Sequence, residues 1–113
     1  MSKRKIVFVS PSYTNPYNEV AKEYKQLVSE YVAELNSHGI IAFSPITYGH
    51  TLLDFREMSG DWEFWKEFCT AFLEKSDEMI VYQIPDWEHS KGIKEEIKIA
   101  NELGLNINYK KII

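Results

Sequence analysis

Lys5–Ser10 reads KIVFVS and is closed by Pro11. The unbroken, mostly β-branched apolar run Ile6–Val9 has no polar alternation, so it cannot be a strand with one wet face. It predicts a strand buried on both sides, which is the mark of a parallel sheet covered by helices. The pattern recurs at Ile40–Ser44 (IIAFS, stopped by Pro45) and at Glu78–Ile84 (EMIVYQI, ended by Pro85), and Asn106–Ile112 reads as a further strand.

Between these runs the period changes to that of a helix. Asn15 and Pro16 supply an N-cap and a proline at the first helical position, and Val20, Tyr24, Leu27, Val28, Tyr31, Val32 and Leu35 continue a stripe to His38-Gly39. A first helix is expected from Pro16 to Ser37. Asp61 can cap a second, Trp62–Lys75, whose Trp62, Trp65, Phe68, Cys69, Phe72 and Leu73 form a broad apolar face. Ser90 can cap a last helix through Leu103, with Gly104 as its stop. Pro45–Gly60 is long for a connector and reads as a binding loop or lid, with room for a short helix around Leu52–Met58.

The order β-α-β-loop-α-β-α-β predicts an α/β fold: a small doubly wound parallel sheet, Rossmann- or flavodoxin-like, of about four strands with helices on both faces. With 113 residues, 44% hydrophobic, the chain is expected to form a single domain over 1–113.

Composition narrows the function classes. Thirteen Lys+Arg against seventeen Asp+Glu give a net charge of −4, and no basic run of five residues occurs, so nucleic acid is not an expected partner. Cys69 is the one cysteine, and His38, His50 and His89 have no ligand spacing, which argues against a disulfide framework, a metal site or a metal cofactor. No apolar stretch approaches the roughly 20 residues that span a bilayer. Met1–Lys5 leads directly into a strand pattern rather than a signal-peptide core, so a cytoplasmic protein without a membrane partner is expected.

In parallel sheets ligands sit beyond the carboxyl ends of the strands. Those ends carry Ser10 through Tyr13, Ser44 through Ile46, and Pro85 through Gly92. Glu95 has Lys91 and Lys98 at helical spacing and reads as a surface residue, whereas Glu96 has Gly92, Ile93, Ile99 and Ala100 around it and faces the sheet. A carboxylate there is paired by another element, neutralised, or open to a cleft for use. Ser90-Lys91-Gly92 can be an ordinary N-cap or an anion site built from free N–H groups, a hydroxyl and an ammonium. Tyr13, Tyr48, His50 and Trp87 fall in expected loops, where aromatic rings plug a sheet end or stack on a ligand. Asp77 reads as a cap or strand-start residue, and Cys69 as a small core residue.

Read together, VFVSPSY (Val7–Tyr13), FSPITYGH (Phe43–His50), SDEMIVYQIP (Ser76–Pro85) and WEHSKGIKEEIKIA (Trp87–Ala100) resemble the nucleoside 2-deoxyribosyltransferase-like superfamily, particularly its short bacterial and phage members. The family pattern W-x-x-S-x-G-x-x-x-E-[IL]-x-x-A is met at Trp87, Ser90, Gly92, Glu96, Ile97 and Ala100. The resemblance implies that Glu96 is the catalytic nucleophile at the anomeric carbon. It implies a substrate-binding set of Ser10, Tyr13, His50, Asp77, Trp87, Ser90 and Gly92, with Ser90 leaning toward a 5′-monophosphate. It further implies a small-molecule nucleoside or nucleotide as partner, no cofactor, and a homo-oligomer whose interface the aromatics of Trp62–Phe72 could supply. The chain departs from the family eight residues before Asp77, where a second carboxylate is usual and Cys69 stands. An N-glycosidic hydrolase or transferase is the expected function. The alternatives are a non-catalytic nucleotide-binding or sensing module, and an interaction protein with a vestigial pocket.

Overall fold

The computed structural model describes residues 4–11, 19–52, 55–56, 58, 62–85 and 87–112, and within these the side chains at 19–21 and 50 are left aside. In chain order the elements are β1 (Ile6–Ser10), α1 (Glu19–Ser37), β2 (Ile41–Phe43), α2 (Pro45–Leu52), α3 (Trp62–Glu74), β3 (Glu78–Gln83), a 3-10 turn (Trp87–His89), α4 (Lys91–Glu102) and β4 (Asn106–Lys111). The four strands form one sheet in the order β2-β1-β3-β4, and all three pairings are parallel. This is the expected doubly wound α/β architecture.

Strand β1 lies inside the sheet and alternates between two cores. Val7 and Val9 meet Val28 of α1 and Ile46 of α2, joined by Tyr82 and Ile84. On the opposite face Phe8, Met79 and Val81 pack against Trp62, Trp65, Cys69 and Leu73 of α3 and Ile93 and Ala100 of α4. Both sets are buried, which is why Ile6–Val9 shows no polar alternation. The chain reverses from β1 to β2 on one side and to β3 on the other, so the switch point lies between β1 and β3.

The edge strands are launched in the same way. Helix α1 ends with Gly39 at φ +83°, Gly39 N–H on the Asn36 carbonyl and Ile40 N–H on that of Leu35, both at 3.0 Å. Helix α4 ends with Gly104 at φ +75°, Gly104 N–H on Asn101 (3.1 Å) and Leu105 N–H on Ala100 (3.0 Å). Both are Schellman closures, in which only glycine takes the left-handed position without strain.

One expectation is corrected. Pro45–Gly60 does not begin as a loop: Pro45–Leu52 is helix α2, and the turn at Phe55-Arg56 follows it where a short helix was expected. Pro45 needs no N–H at the first helical position, Ser44 accepts from Tyr48 N–H (3.4 Å), and buried Ile46 anchors the turn to the α1 core. Tyr48 and His50 are therefore helical positions. The expected caps Asn15 and Asp61, and Pro16, lie outside the described residues.

Leu73 is fully buried between α3 and the sheet. Leu73→Ala should lower unfolding free energy by about 3 kcal/mol, read as a shifted urea midpoint with unchanged slope.

Candidate active site

Ser10 is the last residue of β1, and alternation turns it to the α3–α4 face, where no water reaches it. A buried hydroxyl needs a partner, and Ser10 Oγ donates to Glu96 Oε1 at 2.8 Å across 86 positions of sequence. Glu96 has no exposed surface, and its Oε2 is also sealed from solvent. The helix stripe that placed Glu96 toward the sheet thus meets the end of the central strand beside the β1–β3 switch point. Glu95 turns outward along the surface groove between α3 and α4, with Lys66 and Lys98. Lys91 does not reach for it: its Nζ pairs with Glu63 of α3 at 3.2 Å, an exposed contact that contributes little.

Glu96 is the sixth residue of α4, beyond the first turn in which the helix dipole acts. A hydrogen bond reaches it instead from another element, Ser10 of β1. Cys69 of α3 is fully buried in the adjoining core. Burial pushes the Cys69 thiol well above its ordinary value, with nearby Glu96 adding to the shift. At neutral pH the thiol therefore keeps its proton and is no nucleophile.

Ser90 is the N-cap of α4, as its position predicts: its Oγ accepts from Ile93 N–H at 3.3 Å. Gly92 sits in the first turn above it. With a rise of 1.5 Å per residue, Ser90 and Glu96 stand roughly 9 Å apart along the helix axis. Trp87, half-buried on the preceding turn, touches both cores and meets Tyr109 at a 5.6 Å ring separation, so it closes this end of the sheet. Ser44 Oγ donates to the Pro11 carbonyl at 3.5 Å and ties the end of β2 to that of β1.

Other residues of the expected set are placed elsewhere or not described. Asp77 stands at the opposite, amino end of the sheet, where its Oδ2 accepts from Ile6 N–H and its own N–H donates to the Ile6 carbonyl, each at 2.8 Å. The structure does not bring it to Ser10 and Glu96, and its role there is that of a strand-start residue. Tyr13 lies outside the described residues, and His50 is placed only by its backbone on α2. Tyr48 is half-exposed and stacks on Phe68, with centroids 5.7 Å apart. Cys69 is the neighbour of Glu96 that sequence reasoning missed. Its apolar stripe pointed to the core, and only its count back from Asp77 hinted at the site. Among the described residues no cluster of three or more His, Cys, Asp or Glu is arranged to hold a metal ion, and no helix is long and apolar enough to cross a membrane.

Residues 5–110 match the family described as a domain of unknown function, DUF1937. The chain belongs to that family. No curated protein matches it significantly. Among solved structures, the CMP N-glycosidase BcmB of Clostridium botulinum aligns over 95% of this chain and 71% of its own, with a TM-score of 0.59 and 17% identity. What the two share is the fold, a parallel α/β sheet flanked by helices.

The unfolded thiol ionises near 9.0 while the folded one holds its proton, so above that pH the folded state binds more protons and stability falls as pH rises. Tyr31 and Tyr82, raised chiefly by burial, tilt the curve the same way at still higher pH. Cys69→Ser should remove up to about 1.4 kcal/mol per pH unit of that alkaline slope, measured as urea midpoints between about pH 8 and pH 10.

Proposed function

We propose that this protein cleaves or transfers the N-glycosidic bond of a nucleoside 5′-monophosphate or nucleoside, with Glu96 as nucleophile. The observation that carries the reading is the Glu96 carboxylate itself, buried at the carboxyl end of β1 and held by Ser10 at 2.8 Å. Burying a carboxylate costs several kcal/mol unless it is well partnered, and such groups concentrate where chemistry is done. The register of Trp87, Ser90, Gly92 and Glu96 supports it, as does the likeness to a fold that BcmB uses as a CMP N-glycosidase.

In this reading Glu96 attacks C1′ from the face opposite the base. A C1′–O bond forms as the C1′–N bond breaks, through an oxocarbenium-like transition state, and the base leaves with a proton gained from an acid or solvent. Water, or a second base, then displaces Glu96 from C1′ with net retention. The first turn of α4, with Ser90 and Gly92, receives the 5′ end, where free N–H groups favour a phosphate. Tyr13, His50 and Trp87 border the base and sugar. A homo-oligomer belongs to the same reading, with the partly exposed rings of Tyr48, Phe64 and Phe72 as its contact face.

One observation favours a second reading. Cys69 stands where the superfamily usually has an acid, and its thiol keeps its proton. A nucleotide-binding module without turnover would retain the α4 cradle and tolerate that exchange.

Chromatography of wild type and Glu96→Ala incubated with nucleosides and their 5′-monophosphates separates the two. Free base should appear with wild type and fall at least about a thousandfold in the variant. No release from any substrate, with a thermal shift that survives Glu96→Ala, would establish the binding module instead. Ser90→Asp keeps an N-cap but places a negative charge against a phosphate. It should lower the preference for monophosphate over nucleoside by about tenfold or more, read as a ratio of kcat/KM values.

A further inference from the structure

The backbone of Glu96 is anchored from both directions along α4, because Ile93 one turn before it and Ala100 one turn after it are fully buried in the core beneath the helix. The backbone of Ser10 is anchored too. It pairs with Val81 in the β1–β3 ladder, and beyond the last β1–β2 pair, Phe8 with Phe43, the buried Ser44 donates its hydroxyl to the carbonyl of the next residue, Pro11. Between these two fixed points lie only side-chain torsions. A glutamate left to itself populates several rotamers. The bond from Ser10 Oγ to Glu96 Oε1, 2.8 Å long with both residues free of exposed surface, removes that freedom at the far end of the side chain. Ser10 is the donor, and a carboxyl oxygen accepts in either protonation state, so the constraint does not depend on the charge of Glu96.

We infer that Ser10 is a positioning residue for Glu96 rather than a substrate contact: its hydroxyl, carried on the anchored end of an interior strand, holds the carboxyl group in one orientation. The inference rests on the reading of Glu96 as the nucleophile. It changes the part given to Ser10, which the family resemblance set among the substrate-binding residues. The hydroxyl has one proton to give, and that proton is committed to Oε1. A nucleophile must meet C1′ along a narrow line of approach, and orienting it beforehand takes entropy out of the barrier. Loss of the hydroxyl should therefore slow the chemical step for every substrate alike and leave the binding of each nearly unchanged.

The test pairs two substitutions of the same shape. Ser10→Thr keeps a hydroxyl and Ser10→Val replaces it with a methyl group, so the effect of the added bulk is common to both and the difference between them reports the bond. Ser10→Val should show a kcat about tenfold below that of Ser10→Thr, with KM values within about twofold of each other and the same factor for nucleosides and 5′-monophosphates. Crystal structures supply a readout independent of turnover. Glu96 should keep its wild-type rotamer in Ser10→Thr and leave it in Ser10→Ala. Equal kcat values in the threonine and valine variants, or an unmoved Glu96 rotamer in Ser10→Ala, overturns the inference. A rise in KM with kcat held, or a factor that differs between nucleoside and monophosphate, overturns it in favour of a substrate contact. A rotamer that follows the hydroxyl, with no base release even from wild type, would uphold the positioning contact and overturn the proposed activity, while base release with an unmoved rotamer would do the reverse. Should Ser10→Val or Ser10→Thr fail to fold, Ser10→Ala, which only removes an atom, carries the same comparison against wild type.

Discussion

Strand β1 is enclosed on every side, with β2 and β3 bonded to its two edges and helices over both faces. Every residue along Val7–Ser10 is buried, and Phe8, Val9 and Ser10 have no exposed surface. Apolar residues satisfy that constraint by packing, but Ser10 cannot. A hydroxyl at the end of such a strand must find a protein partner, and the geometry leaves it facing the helix that crosses the same end. The bond to Glu96 answers this need, and it joins the first strand to the last helix at the sheet's topological switch. Sheet order, helix placement and the candidate site are consequences of burying one strand completely.

The two sides of the Ser10–Glu96 contact differ in what they require. The hydroxyl costs little to bury once bonded. The carboxylate costs far more, because charge leaves water for a medium in which neutral donors replace many solvent dipoles. Ser10 offsets part of that cost without introducing a compensating charge. A protein selected for stability alone would fill this position with an apolar side chain of similar volume. A carboxylate here therefore lowers stability, and it stands about two helical turns along α4 from the backbone N–H groups and glycine of the first turn.

Elements governed by local rules were legible. Ile6–Val9 announced a doubly covered strand, the Val20–Leu35 stripe a helix, and Ser90 and Gly104 the ends of α4, because each follows from side-chain period or capping chemistry over a few residues. Helix α2 was not, because its short stripe rests on Ile46 and its start on a proline that equally well ends a strand. Glu96 was legible as a carboxylate facing the sheet, since its helical neighbours are small or apolar. Its hydrogen-bond partner was not, since Ser10 stands 86 positions away and only the packing of α4 on the sheet brings the two together. Asp77 shows the converse: local reading gave it the strand-start role that its bonds to Ile6 display.

The matching glycine closures of α1 and α4 have a bearing on how copies of this protein meet. Each turns a helix directly into one of the two outermost strands, and neither strand offers a good template for a stranger's backbone. β2 is only three residues long, and β4 ends in Lys110-Lys111, whose like charges a second chain would have to desolvate in order to pair. The sheet is thereby blunted against growth in both directions. Misassembly by strand addition is discouraged at the edges, while the rings of Tyr48, Phe64 and Phe72 leave exposed apolar surface on the helices.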